Sequence, residues 1–181
     1  MFQGMSKSRA ANVSRPAAAQ KPAKGGQLLD LERYVPALIT FIANKLSRSA
    51  TTYYQTHFGV NVTEWRILSL LALEPGIPAA RICHVIGFDK GPVSRTLALL
   101  QKRDLVSIKT DPLDGRSHSI SLTTKGRATH DDVIVVALAR ERRLLGCLRK
   151  DEQETLIKLL FRIHGNLGAV IDHDDEPEAD D

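Results

Sequence analysis

The thirteen residues DPLDGRSHSISLT, positions 111–123, constrain the fold more than any other stretch. Pro112, Asp114 and Gly115 punctuate a turn. From Ser117 the chain alternates, with Ile120 and Leu122 between Ser119, Ser121 and Thr123. Such alternation marks a short strand with one buried face. Just before the turn, LVSIKT (105–110) is also β-capable. Two short strands around a Pro–Gly turn make one β-hairpin, and the segments on either side of it read as helix.

Leu31, Val35, Leu38, Ile42 and Leu46 recur at spacings of three and four, the pattern of one buried helix face. Pro36 suits the first turn of that helix, and Gly59 supplies its stop. In NVTEWRILSLLALEPG, Thr63 is the expected N-cap, Ile67, Leu70 and Leu71 the inner face, and Pro75–Gly76 the end. IPAARICHVIG predicts a shorter helix with Pro78 near its start, Ile82, Val85 and Ile86 inward, and Gly87 as terminator. DKGPVSRTLALLQKRDLV predicts another, capped by Asp89, with Val93, Leu97 and Leu100 inward. After the hairpin, a long helix starts at Thr123 or Thr124 and carries Val133, Val136, Leu138 and Leu144. The last helix is expected to start at Asp151, with Glu154 completing a capping box, and to bury Leu156, Leu159, Leu160, Ile163 and Leu167.

Charge sorts the chain into a body and two tails. The 181 residues carry a formal net charge of +4. Residues 1–27 hold five basic residues and no acid; residues 172–181 hold seven acids and no base; the body between them is therefore at +6. Both tails lack hydrophobic periodicity and read as disordered. The opening MFQG resembles the remnant of a cleaved tag, with Met5 as the expected natural start. A moderately basic body is compatible with a nucleic-acid partner. No apolar run approaches the roughly 18 residues of a membrane span, so no membrane partner is expected. No secretory signal is visible at the N-terminus. Cys83 and Cys147 stand far apart, outside any CxxC spacing, and read as two buried free thiols of a reducing cytoplasm. The six histidines form no HxxxH or HExxH pair, so neither a metal site nor a cofactor is expected. No Gly-rich phosphate loop or GxSxG motif is present, so the chain does not read as an enzyme.

Two short helices joined by a Gly-containing turn, IGFD, form a helix-turn-helix. A hairpin directly after its second helix turns this into a winged helix. That order explains the lone hairpin. A recognition helix fills the major groove of double-stranded DNA, and the wing reaches the neighbouring minor groove. Arg116, near the wing tip, is the group suited to a narrow minor groove, and Asp114 is placed to hold it. The expected fold is thus mainly α with a small β-hairpin: a winged helix-turn-helix lobe, plus N- and C-terminal helices forming a dimerisation lobe. The boundaries are a basic segment at 1–27, a dimerisation helix at 28–60, the winged-helix lobe at 61–123, dimerisation helices at 124–171 and an acidic tail at 172–181. The terminal helices carry more apolar surface than one small lobe covers, so a homodimer on a palindromic operator is expected.

This order of helices and wing resembles the MarR family of bacterial transcriptional regulators. Asp114, Arg116, Leu122 and Thr123 match the family's wing signature. DKGPVSRTLALLQKRDLV looks like its recognition helix, VTEWRILSLL like the helix before the turn, and the likeness spans roughly residues 31 to 170. Gly115 departs from the pattern, since a second Arg is common there. The resemblance implies a homodimeric repressor, less often an activator, released from DNA by a small anionic or aromatic ligand bound between the dimer helices and the DNA-binding lobe. A phenolic acid or its coenzyme A thioester is one such ligand. A redox- or metal-sensing regulator on the same fold is the alternative.

Within that frame Arg95 is expected to contact a base edge, since Arg suits guanine O6 and N7. Lys90 and Ser94 are candidates for phosphate or base contacts, and Gly91 and Pro92 for close backbone approach. Arg81, Lys102, Lys109 and Lys125 are weaker phosphate candidates. For the ligand pocket the candidates are Arg48, Tyr53, Tyr54 and His57 on the first helix, Trp65 on the second, and His118 in the wing.

Overall fold

The computed structural model describes residues 28–110 and 118–171. It contains helices α1 (Val35–Phe58), α2 (Val62–Leu73), α3 (Ala79–Ile86) and α4 (Lys90–Lys102), strands β1 (Val106–Thr110) and β2 (His118–Leu122), then α5 (Thr124–Leu144), α6 (Lys150–Gly165) and α7 (Gly168–Ile171). A 3-10 turn at Leu145–Cys147 separates α5 from α6. Packing divides the chain into two units, one ending at Lys45 and one beginning at Leu46. The expected wing-tip residues Asp114 and Arg116 lie outside the described residues, as do both charged tails.

Local chemistry places the element boundaries. α1 stops at Gly59 with φ +68°, a left-handed residue that costs glycine little. α2 starts two residues earlier than Thr63 suggested. Its cap is Asn61, whose Oδ1 accepts the N–H groups of Thr63 and Glu64, both at 2.9 Å. Glu64 Oε2 in return accepts the Asn61 N–H at 2.8 Å, completing a capping box. Asp89 holds the N-cap position of α4 without a side-chain hydrogen bond. Thr123 caps α5, its Oγ1 accepting the Gly126 N–H at 2.9 Å. α6 also starts early, at Lys150 rather than after Asp151. Glu152, not Glu154, reaches back, its Oε2 accepting the Arg149 N–H at 2.7 Å. The expected single C-terminal helix is broken after Gly165, and α7 is a separate turn.

The core sits where α2 meets the helix pair and the hairpin. Ile67, Leu68, Leu71, Ile82, Val93, Leu100, Val106, Ile120 and Val133 are all at most 2% exposed. Each fully buried aliphatic side chain contributes about 1.5–3 kcal/mol, so α4 is held mainly through Val93, Leu97 and Leu100. Val85, expected inward on α3, is 41% exposed, because the inner face runs through Ala79, Ile82, Cys83 and Ile86, and Val85 lies to one side of it. β1 and β2 pair antiparallel, Val106 opposite Leu122 and Ile108 opposite Ile120. The α2–α3 loop adds a third rung: Ile120 donates to Ile77 O at 3.1 Å, and Gly76 donates to Ile120 O at 2.9 Å. The root of the hairpin is thereby fixed to the helical lobe.

The terminal helices are different. On α1, Val35, Leu38, Ile39, Phe41, Ile42 and Leu46 are between 38% and 55% exposed in the single chain. On α6, Ile157, Leu159, Leu160, Phe161 and Ile163 are likewise exposed. The expected apolar faces exist, and this chain alone does not cover them.

Candidate nucleic-acid interface

α3 and α4 are joined by Gly87, Phe88 and Asp89. Gly87 is left-handed at φ +67°, and its N–H donates to Cys83 O. This sharp exit lets α4 cross α3 instead of continuing it. With Val93, Leu97 and Leu100 turned to the core, helical geometry puts Gly91, Ser94, Arg95, Ala98 and Lys102 on the opposite, exposed face. Lys90 lies on the same stripe as Val93 and is exposed because it is the first residue of the helix. The outer face and the helix start together carry three cations and no carboxylate. Small neighbours leave Arg95 room: a Cβ built on Gly91 would meet only the Arg95 guanidinium, at 3.5 Å. Beside this face, Thr51, Asn61, Thr63, Phe88, Pro92, Arg95, Thr96 and Leu99 line a groove of about 590 Å³.

The weaker phosphate candidates fare unequally. Arg81 is engaged by Glu74, with Nε–Oε2 and Nη2–Oε1 both 2.9 Å. Those hydrogen bonds hold the Glu74 carboxyl below the usual carboxylate range and raise the Arg81 guanidinium further. Lys125 Nζ donates to Arg103 O at 2.9 Å and so caps the end of α4. Lys102 and Lys109 are exposed.

The expected ligand residues do not gather in one place. Tyr54 is buried and meets Trp65 edge to face at 6.1 Å; Trp65 stacks on His130 at 5.3 Å. Tyr53 is exposed and stacks on His57 at 4.0 Å. Arg48 is exposed on α1, and His118 lies at the outer end of β2 beside Thr110 Oγ1. Arg140 of α5 was not anticipated. Its Cζ lies 5.9 Å from the Tyr54 ring, and it donates to Ser49 Oγ at 2.9 Å. Burial pushes the Tyr54 phenol up, and the Arg140 charge opposes that shift. Leu46, Ala50, Tyr54, Arg140, Glu141, Arg143 and Leu144 line a cavity of about 440 Å³. Sequence patterning could not pair Tyr54 with Arg140, because they meet only when α1 and α5 pack.

Cys83 is half-buried, whereas Cys147 is exposed in the 3-10 turn, contrary to the expectation of two buried thiols. The early end of α5 leaves Cys147 outside a helix–helix contact. Among the described residues no three His, Cys, Asp or Glu side chains cluster as a metal site would need, and no helix is long and apolar enough to cross a membrane.

Known proteins share this arrangement. A model of the MarR family matches residues 58–117, from the end of α1 to the residue before β2. A MarR/EmrR family transcriptional regulator of Acinetobacter sp. ADP1 is 30% identical, with a TM-score of 0.74 over 78% of this chain and 99% of its own. The chain belongs to the MarR family. Two more distant proteins share the fold. The PcaV regulator of Streptomyces coelicolor, solved with its natural ligand, is 23% identical over 77% of this chain and 98% of its own, with a TM-score of 0.64. The S. aureus MepR, solved with DNA, is 20% identical over 75% and 98%, with a TM-score of 0.66. The MarR relatives are transcriptional regulators, so the winged helix here belongs to a regulator and not to an enzyme.

Proposed function

We propose that this MarR-family regulator is a homodimeric repressor that inserts α4 into the major groove of a palindromic operator and leaves DNA when a small anionic or aromatic ligand binds. The carrying observation is α4 itself, where Lys90 at the helix start and Ser94, Arg95 and Lys102 on the outer face are exposed with no carboxylate among them. Arg95 is assigned to a guanine edge, Lys90, Ser94 and Lys102 to phosphate or neighbouring bases, and Gly91 and Pro92 to close approach of the helix start. Arg116 is assigned to the minor groove, steadied by Asp114, on sequence grounds. Arg81 takes a lesser part, since a phosphate must compete with Glu74 for it.

The uncovered apolar faces of α1 and α6 support a second copy of the chain as their partner. The domain division follows: 28–60 and 124–171 dimerise, and 61–123 bind DNA. The cavity between Tyr54 and Arg140 supports the ligand reading. It offers one aromatic wall, an apolar floor, the guanidinium groups of Arg140 and Arg143 and the single carboxylate of Glu141, a net positive lining that suits a carboxylate on an apolar or aromatic body. Trp65 supports the cavity from behind Tyr54, whereas Arg48, Tyr53, His57 and His118 do not line it. A ligand that prefers the operator-incompetent separation of the two α4 helices shifts the population away from DNA.

The test is a titration of the DNA flanking the protein's own gene at two salt concentrations, with Arg95→Ala alongside. Tight binding that weakens steeply with salt and is lost in Arg95→Ala supports the reading. Equal binding by Arg95→Ala and wild type would remove α4 as the reading element.

A further inference from the structure

Arg103, the residue that ends α4, has no part in the proposed DNA or ligand contacts, yet its side chain and carbonyl engage three other helices. Nη1 donates to Glu64 Oε1 at 3.0 Å, and Nη2 donates to the carbonyl of Gly59 at 2.7 Å. Glu64 is only 5% exposed, and its other oxygen accepts the N–H of Asn61. Gly59 ends α1 and Asn61 caps α2. On the carbonyl side, Arg103 O accepts Lys125 Nζ, and the next carbonyl, Asp104 O, accepts Thr123 Oγ1 at 2.6 Å. Thr123 caps α5. Four helix ends therefore meet at one polar cluster.

The physics of this cluster differs from that of the core around it. Apolar burial of Val93, Leu97 and Leu100 holds α4 down and sets which face turns inward, but it is non-directional, so it constrains the tilt and slide of the helix less sharply than a hydrogen-bonded contact of fixed geometry. A guanidinium fork between two acceptors has a fixed angle, which an ammonium on the same stem lacks. A buried carboxylate that loses its partner is strongly disfavoured, so the cluster forms as a unit. The end of α1 and the start of α5 are the parts of those helices that touch it.

We propose that the Glu64–Arg103 pair is a positioning joint: it sets the angle at which α4 is presented and carries displacements of α1 and α5 to α4. The inference rests on the DNA-binding reading above and goes beyond it, because neither residue contacts DNA in that reading.

The experiment uses the full chain and an operator selected by the wild type from random-sequence DNA. Variants of that operator move the half-sites apart or together by one base pair, about 3.4 Å and about 34° of rotation. Wild type is expected to lose about tenfold in affinity per step. Glu64→Gln and Arg103→Lys are each expected to bind the original spacing about tenfold more weakly and to lose about threefold or less per step. The double variant is expected to be no weaker than the weaker single, as for residues acting together. Circular dichroism establishes that each variant is folded. Should Glu64→Gln fail to fold, Arg103→Lys, which keeps the cation, decides. A folded variant with the wild-type spacing penalty overturns the joint, whether or not its overall affinity falls. Failure of the wild type to select any DNA overturns the DNA-binding reading, and the joint with it.

Discussion

Replacing Gly126 with Ala is a sharp test of how the wing is anchored to α5. A Cβ at this position would lie 1.8 Å from the backbone oxygen of Leu105 and 2.8 Å from its carbonyl carbon, where real Cβ contacts essentially never fall below 3.0 Å. The obstacle is backbone, so no side chain can swing aside. The first turn of α5 and the start of β1 must separate by more than about 1 Å, an overpacking cost of roughly 1–3 kcal/mol. The same movement strains Thr123 N–H to Leu105 O (3.2 Å) and Thr123 Oγ1 to Asp104 O (2.6 Å), each bond contributing about 0.5–1.5 kcal/mol. The sum is about 2–6 kcal/mol, or roughly 4–24 °C in Tm for a chain of this size. The assay is thermal unfolding at fixed protein concentration, with Gly146→Ala as control, since nothing lies within 4 Å of a Cβ there. A Gly126→Ala protein melting with the wild type would refute the α5–β1 packing described here.

Three further outcomes follow from local geometry. Asn61→Ala removes the acceptor of two helix-start N–H groups and should cost about 1–2 kcal/mol in urea unfolding; no change would mean that the capping box is not made in solution. In a spectrophotometric alkaline titration, one of the three tyrosines should ionise above the ordinary phenol range, and Tyr54→Phe should remove that component. Because its folded pKa is raised, the stability linked to Tyr54 is fully present below the unfolded phenol's pKa and is lost as pH climbs through the folded one. An unaltered titration curve in Tyr54→Phe would contradict its burial. Cys147 should react with a thiol reagent well before Cys83 in the native protein, and equal rates would argue against the exposed 3-10 turn.

Much of the fold was legible in the sequence because its signals are local. The Val93, Leu97, Leu100 spacing, the left-handed Gly87 and the alternation through Ile120 each mark an element without reference to the rest of the chain. The two helix starts that were misplaced show how such signals compete. NVTE offers two favoured caps, Asn61 and Thr63, two residues apart; before DEQE the cap is Arg149, a residue type outside the favoured set, so Asp151 drew the expectation two residues too far. The choice falls to the pair whose side chain reaches back, Glu64 to Asn61 and Glu152 to Arg149. The site was less legible. Arg95 could be found, because an exposed cation opposite an apolar stripe is a helical pattern. Arg140 against Tyr54 and Arg103 against Glu64 could not, since both pairs are made by packing between helices distant in sequence.

The central claim is that α4 reads DNA from the major groove through Arg95. Methylation interference on a selected operator tests it most directly, because dimethyl sulfate marks guanine N7 in the major groove and adenine N3 in the minor groove. The account predicts that N7 methylation of one guanine in each half-site blocks the wild type, and that Arg95→Ala loses this sensitivity along with most of its affinity. Interference confined to adenine N3, or a guanine signature unchanged in Arg95→Ala, would contradict it.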